Sequence, residues 1–246
     1  MMLTGNLATR SPRRTSDEPG VLTLGRTRGV AEHFSALIAK HVQSGVAVEA
    51  DAYISSYQHN EYHGLYRAIF IIIDSPQALE DNLALVENLR NDNLKPIICA
   101  VITGRGAHNK IKYFLAGADF CIKLNTLSDE SGELLGEFFN SEEWQRDINL
   151  VLDPTRICLS DTSKKLDISF AEMKILQAFA QTGNHILSHD EIASIMGLNT
   201  QFYDPRALEK SISRLRGKIK DVYGTNAIQS IRGYGYRLMR GLISTP

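Results

Sequence analysis

The residues best placed for chemistry lie near the end of the 246-residue chain, between Asp204 and Arg240. At about 100° per residue, Leu208, Ile212, Leu215 and Ile219 fall within an arc of roughly 60°, an apolar back that must face a core. Arg206, Lys210, Ser213 and Arg214 fall together on the opposite side, and Arg216 and Lys220 flank the apolar arc. Such a helix fits a DNA major groove, where Arg and Lys reach guanine acceptors and Ser reaches base edges or phosphates. A solvated basic face would have the same pattern, so the helix alone does not decide. The hairpin after it adds weight. Arg232 sits at a glycine-flanked tip, Arg232-Gly-Tyr-Gly235, with Arg237 and Arg240 nearby. A slender hairpin tipped by Arg suits a minor groove, whose negative potential attracts guanidinium.

Charge placement agrees. Residues 1–147 carry 14 Lys and Arg against 19 Asp and Glu, whereas residues 203–240 carry 9 against 3. A basic patch confined to one region of a nearly neutral chain points to a polyanion partner for that region.

Other candidate chemistry is sparse. Asp74 ends a continuous apolar run, Ala68–Ile73, and is either a phosphoryl acceptor or the cap of the turn Asp74-Ser-Pro-Gln77. His59 and His63 are four apart, but no third ligand or HExxH context supports a metal, and a solvated loop is the expectation. Cys99, Cys121 and Cys158 lie in apolar, strand-like runs with no CxxC or Cys/His cluster. They read as buried hydrophobes in a reducing cytosol, with no disulfide framework. No nucleophile–base spacing supports an enzyme, and no cofactor is called for. No apolar run approaches ~20 residues, and residues 1–20 carry no secretory pattern, so a cytoplasmic chain without membrane partners is expected.

The elements that must position these residues divide in two. Residues 1–20 read as a flexible tail and residues 140–148 as a polar linker. Between them, residues 21–139 alternate apolar runs (Val21–Leu24, Val46–Ala50, Ala68–Ile73, Pro96–Ile102, Phe120–Leu124) with helical patterns. Strands without polar alternation are buried on both faces, which predicts a doubly wound α/β domain around a parallel sheet, in flavodoxin-like order. Residues 149–246 carry sharp punctuation. Ser169-Phe-Ala-Glu172 and Ser188-His-Asp-Glu191 are capping boxes, and Asp204-Pro205 is an N-cap with proline at the first helical position. Ile228–Ile231 and Tyr236–Met239 read as the strands of the hairpin, completing a winged helix-turn-helix.

Residues 148–240 resemble the effector domain of OmpR/PhoB-type response regulators. The resemblance rests on Leu150–Leu152, Ser169–Glu172, Leu187-Ser188 with Glu191-Ile192, Asp204-Pro-Arg-Ala-Leu-Glu-Lys-Ser-Ile-Ser-Arg-Leu-Arg-Gly-Lys-Ile219 and Ile231-Arg-Gly-Tyr-Gly-Tyr-Arg-Leu238. It implies DNA contacts from Arg206, Ser211, Ser213, Arg214 and Arg216 on the helix and from Ser230 and Arg232 on the wing. Lys210 stands where the family usually has an apolar residue and is nominated by helix geometry alone. The loop 198–203 corresponds to the segment that touches RNA polymerase in the family.

Residues 21–139 resemble a receiver domain through the strand order, Asp74, Thr103-Gly-Arg-Gly106 and Gly117-Ala-Asp119. An active receiver holds Mg²⁺ with an acidic pair after its first strand. The matching positions here are Gly25 and Arg26, and Leu124 stands where the family has lysine, with Lys123 one residue early. The expectation is an atypical receiver with no metal site, in which Arg26 or Lys123 could pair with Asp74. The resemblance also implies a homodimer through residues 111–139, letting two winged helices read adjacent half-sites. Two other readings stand beside this one: a conventional two-component regulator switched by phosphorylation of Asp74, and an adaptor acting by protein contact.

Overall fold

The computed structural model describes residues 20–42, 46–52, 66–75, 79–92, 96–103, 109–124, 129–141, 144 and 149–245. The pair His59 and His63, the turn residues Pro76 and Gln77, and the proposed tail up to residue 19 lie outside them.

The N-terminal domain is a five-stranded parallel sheet in the order β2-β1-β3-β4-β5. Its strands are β1 (Gly20–Gly25), β2 (Val48–Ala52), β3 (Tyr66–Ile73), β4 (Ile97–Ile102) and β5 (Phe120–Lys123). The helices are α1 (Arg28–Ala39), α2 (Leu79–Asp92), α3 (Lys110–Ala116) and α4 (Asp129–Asn140). The expected doubly wound sheet is therefore present, with β3 at its centre between β1 and β4.

Alternation along the central strands makes two cores. Leu22, Leu24, Ile69, Ile71 and Ile73 face Leu85, Val86 and Leu89 of α2 and Tyr113 of α3. Val21, Phe70, Ile72 and Val101 face Phe34 and Ile38 of α1 and Leu135 and Phe139 of α4. This is why β3 reads as an unbroken apolar run: each successive side chain enters one core or the other. Trp144, which the sequence places in the linker, belongs to the second core. It is buried against Phe70, Phe138 and Phe139, and Arg67 lies over its ring with Nη2 donating to its carbonyl. The apolar domain therefore continues past residue 139, because a tryptophan buries too much surface to be left in solvent.

The C-terminal domain opens with a four-stranded sheet, order β12-β6-β7-β8, built from β6 (Leu150–Asp153), β7 (Cys158–Ser160), β8 (Lys165–Asp167) and β12 (Ile243–Ser244). Three helices follow: α5 (Phe170–Gln181), α6 (His189–Ile195) and α7 (Pro205–Tyr223). A second sheet, order β10-β11-β9, comprises β9 (Ile186–Ser188), β10 (Ile228–Ile231) and β11 (Gly235–Leu238). Both capping boxes form with reciprocal bonds, at Ser169 with Glu172 and at Ser188 with Glu191. Asp204 caps α7 by accepting from the Arg206 amide at 3.0 Å. Gly224 closes that helix in the left-handed conformation, φ 67°. Leu208, Ile212, Leu215 and Ile219 are buried in a core with Leu176, Phe179, Ile192 and Tyr236, as the helical arc requires.

Candidate nucleic-acid interface

Packing of the apolar face of α7 leaves its other face free. Arg206, Lys210, Ser213 and Arg214 are all exposed on the side opposite Leu208, Ile212 and Leu215. The proline at the first helical turn and the Asp204 cap start the helix at a fixed residue, and this sets which side chains face out. The hairpin β10–β11 stands beside it. Arg232 is exposed at its tip, where Gly233 adopts φ 76°, a conformation that favours glycine. Gly235 serves a different end, because a Cβ there would lie 2.1 Å from the Leu187 carbonyl. Only glycine lets β11 approach β9.

The remaining nominated residues are engaged within the protein. Ser211 donates its hydroxyl to the Ala207 carbonyl at 2.9 Å, one helical turn back. Arg216 Nη2 donates to Ser230 Oγ at 2.9 Å, and the guanidinium lies over the Tyr236 ring at 5.1 Å. Burial holds the Arg216 guanidinium below its ordinary range. The expected helix contact Arg216 and the expected wing contact Ser230 thus bind each other and join helix to wing. Lys218, on the flank of α7, reaches Glu172 of the α5 capping box at 2.8 Å, a tie not foreseen from the sequence.

Two cations counted with the wing are elsewhere. Arg237 and Arg240 do not stand on the hairpin's free surface. Arg237 is buried, with its guanidinium 4.6 Å from the Phe114 ring and 5.5 Å from the Phe120 ring of the N-terminal domain. Its Nη1 donates to the Ala118 carbonyl at 3.4 Å and its Nη2 to Gln229 Oε1. Arg240 Nε meets Asp119 at 3.0 Å and Nη2 donates to the Gly183 carbonyl at 3.0 Å. Asp119 also receives Arg90 at 2.5 Å and the Ile98 amide. Side chains alternate across a strand, so Tyr236 and Arg237 must point to opposite faces of β11. The sequence does not say that a second domain covers one of those faces.

At the receiver-like site, Asp74 is exposed just beyond β3. Among the described residues no ion pair joins it to Arg26 or Lys123, so neither expected pairing is present. A Cβ on Gly25 would lie 2.8 Å from the Ala31 amide nitrogen and 3.0 Å from the Thr27 carbonyl, because α1 begins tightly against the end of β1. Among the described residues no group of three His, Cys, Asp or Glu could hold a metal. Burial pushes the Cys99 thiol well up and Cys121 to about 11, so neither is primed as a thiolate. No described helix is long and apolar enough to cross a membrane.

Residues 163–238 match the family described as "Transcriptional regulatory protein, C terminal". The heme response regulator HssR of Staphylococcus epidermidis is 28% identical over 177 residues, covering 68% of this chain and 76% of its own length. The virulence transcriptional regulatory protein PhoP of Salmonella typhi is 21% identical over 220 residues, covering 82% and 94%. Residues 163–238 thus carry a domain of transcriptional regulatory proteins, and the chain is similar over most of its length to response regulators. Among solved structures, the C-terminal domain of the nisin resistance regulator NsrR is 29% identical, covering 36% of this chain and 90% of that one, with a TM-score of 0.29. The matched residues contain α7 and the β10–β11 hairpin.

Proposed function

We propose that this OmpR/PhoB-type regulator binds specific double-stranded promoter DNA without needing phosphorylation, and does so as a homodimer. The supporting observation is the exposed front of α7, Arg206, Lys210, Ser213 and Arg214, beside an exposed Arg232 at the wing tip. The helix enters the major groove, where Arg214 and Lys210 read base edges and Arg206 and Ser213 meet base edges or phosphates. Arg232 enters the neighbouring minor groove. Ser211, Arg216 and Ser230 shape this surface through their internal bonds.

Independence from phosphorylation is supported at Gly25. The position matching a metal-binding carboxylate has no room for a side chain, so Asp74 lacks the charge neutralisation that an acyl phosphate needs. Dimerisation uses what the wing leaves open on residues 111–139, where Leu115 and Leu134 are exposed apolar side chains. The loop 198–203 presents Phe202, 83% exposed, as an anchor for RNA polymerase.

The test is a gel-shift titration of donor-free protein on a duplex enriched from random sequence, with stoichiometry from sedimentation. Arg214→Ala and Arg232→Ala are each expected to cost ~1–3 kcal/mol of specific binding with unchanged melting. Parent-like affinity in both variants would sink the docking, and a strict 1:1 complex would sink the dimer.

A further inference from the structure

The wing is held from both sides. One face of β11 presents Tyr236 to α7, where Arg216 lies over its ring and reaches across to Ser230 of β10. The other face presents Arg237 to the N-terminal domain, between Phe114 of α3 and Phe120 of β5. Across the hairpin, Arg237 pairs with Gln229 and Tyr236 with Ser230. Arg237 binds the side chain of its cross-strand partner while its Nη1 donates to the Ala118 carbonyl. The same seam is fastened at Arg240–Asp119 and at Asn184, whose Nδ2 donates to the Leu115 carbonyl at 3.4 Å. The hairpin carrying Arg232 therefore lies between the recognition helix and the receiver-like domain.

We infer that Arg237 is a positioning residue through which the receiver-like domain fixes the wing, and with it the minor-groove contact of Arg232. β9 pairs with β11 on one side, but β10 is the edge strand of the sheet and the tip projects beyond the pairing, so the wing keeps freedom to twist. The Arg237 guanidinium of β11, stacked on aromatic rings, bound to a carbonyl and paired across the hairpin with Gln229 of β10, removes that freedom at the base of the wing. Ordering the wing before DNA arrives removes that cost from binding. Arg237, buried in this seat, cannot itself reach DNA. The receiver-like domain thus has a direct physical hold on DNA recognition at the wing, distinct from any effect it has through dimerisation. The inference rests on the DNA docking proposed above.

The test is a double-mutant cycle on the full chain, with binding to the enriched duplex measured across a salt series. Arg237→Gln is expected to weaken binding roughly tenfold, and the loss should largely vanish in an Arg232→Ala background. Phe114→Leu, made from the receiver side, should reproduce a smaller loss with the same non-additivity. The salt slope should be unchanged in both, whereas loss of a phosphate contact would lower it by about 1. Losses that add to that of Arg232→Ala, a lowered salt slope, or parent-like binding of both variants would overturn the inference. Arg214→Ala separates the two failures. If it weakens binding while Arg237→Gln and Phe114→Leu do not, only the positioning role falls. If it too is silent, the docking model falls and the inference with it.

Discussion

The two domains keep their inheritance differently. In the C-terminal domain the signals are local and they agree with one another: capping boxes at Ser169 and Ser188, the Asp204-Pro205 start, and glycine at Gly233 and Gly235 where a side chain would strain or collide. In the N-terminal domain the strand order and core are those of the expected sheet, while at Gly25, where an active receiver carries an acidic residue, α1 begins so close that a Cβ would meet backbone at 2.8 Å. A fold needs only a pattern of apolar residues, so it tolerates the change of a site that depends on two or three side chains. The meeting point of the domains depends on neither set of signals. It is a polar seam around Asp119, with Arg90 and Arg240 on one carboxylate.

That seam gives the strongest way to break the comparison. Asp119→Asn leaves the Arg90 guanidinium, whose side chain is 5% exposed, without its counter-charge. Removing one partner of a buried pair costs ~3–5 kcal/mol, because the surviving charge is stranded. The loss should fall on the receiver-like domain, whose β4–α3 region Arg90 and Asp119 hold together through Gly117, Pro96 and Ile98. Calorimetry should therefore resolve an early transition for that domain ahead of the winged helix. A variant that melts as a single parent-like transition would mean that the seam contributes nothing to either domain.

A second test sharpens the contrast at Gly25. Gly25→Asp restores the residue type that an active receiver carries, yet its Cβ would meet backbone at 2.8 and 3.0 Å. Forcing extra atoms into packed backbone costs ~1–3 kcal/mol. The expected variant is less stable in denaturant titration, gains no Mg²⁺ affinity, and shows no hydroxylamine-labile adduct on Asp74 after acetyl phosphate. Adduct formation in the parent chain would restore the phosphorylation-switched reading and end the contrast between a kept fold and a lost chemistry.

Much of this was legible in the residues, for reasons that also explain what was not. The α7 face was readable because one helix dictates which of its own side chains share a side. The parallel sheet is readable because burial on both faces erases alternation over residues 68–73. The strands Lys165–Asp167 and Ile243–Ser244 were missed because two or three residues carry no period. Trp144 reads as linker because its neighbours are polar, although its ring packs on Phe138 and Phe139 just before it and on Phe70 and Arg67 of distant β3. Charge counting treats every cation as free and so groups Arg237 and Arg240 with the wing. Only the tertiary contact reveals that Phe114, Phe120 and Asp119 claim them.

The smallest expected effect lies at the edge of the same seam. His185 is held at φ 57°, and its Nδ1 is buried with no partner among the described residues. Burial, and then the nearby charge of Arg240, pull its pKa down to about 4 from an ordinary value of 6.5. The unfolded chain takes up a proton near pH 6.5 that the folded chain refuses until about pH 4. This contribution to stability is therefore complete above about pH 6.5 and is lost progressively as the pH falls toward 4. His185→Asn removes the titration and keeps a residue tolerant of the left-handed region. Melting temperatures of parent and variant should run parallel from pH 8 to 7, and the parent's should fall more steeply from about pH 6.5 to 4.5. Arg240→Gln should shallow the parent's fall by a smaller amount, since burial is the larger cause and the arginine the lesser. Identical acid slopes in parent and His185→Asn would mean that the imidazole is solvated in the folded chain, and that the seam is looser on the winged-helix side than on the Arg90 side.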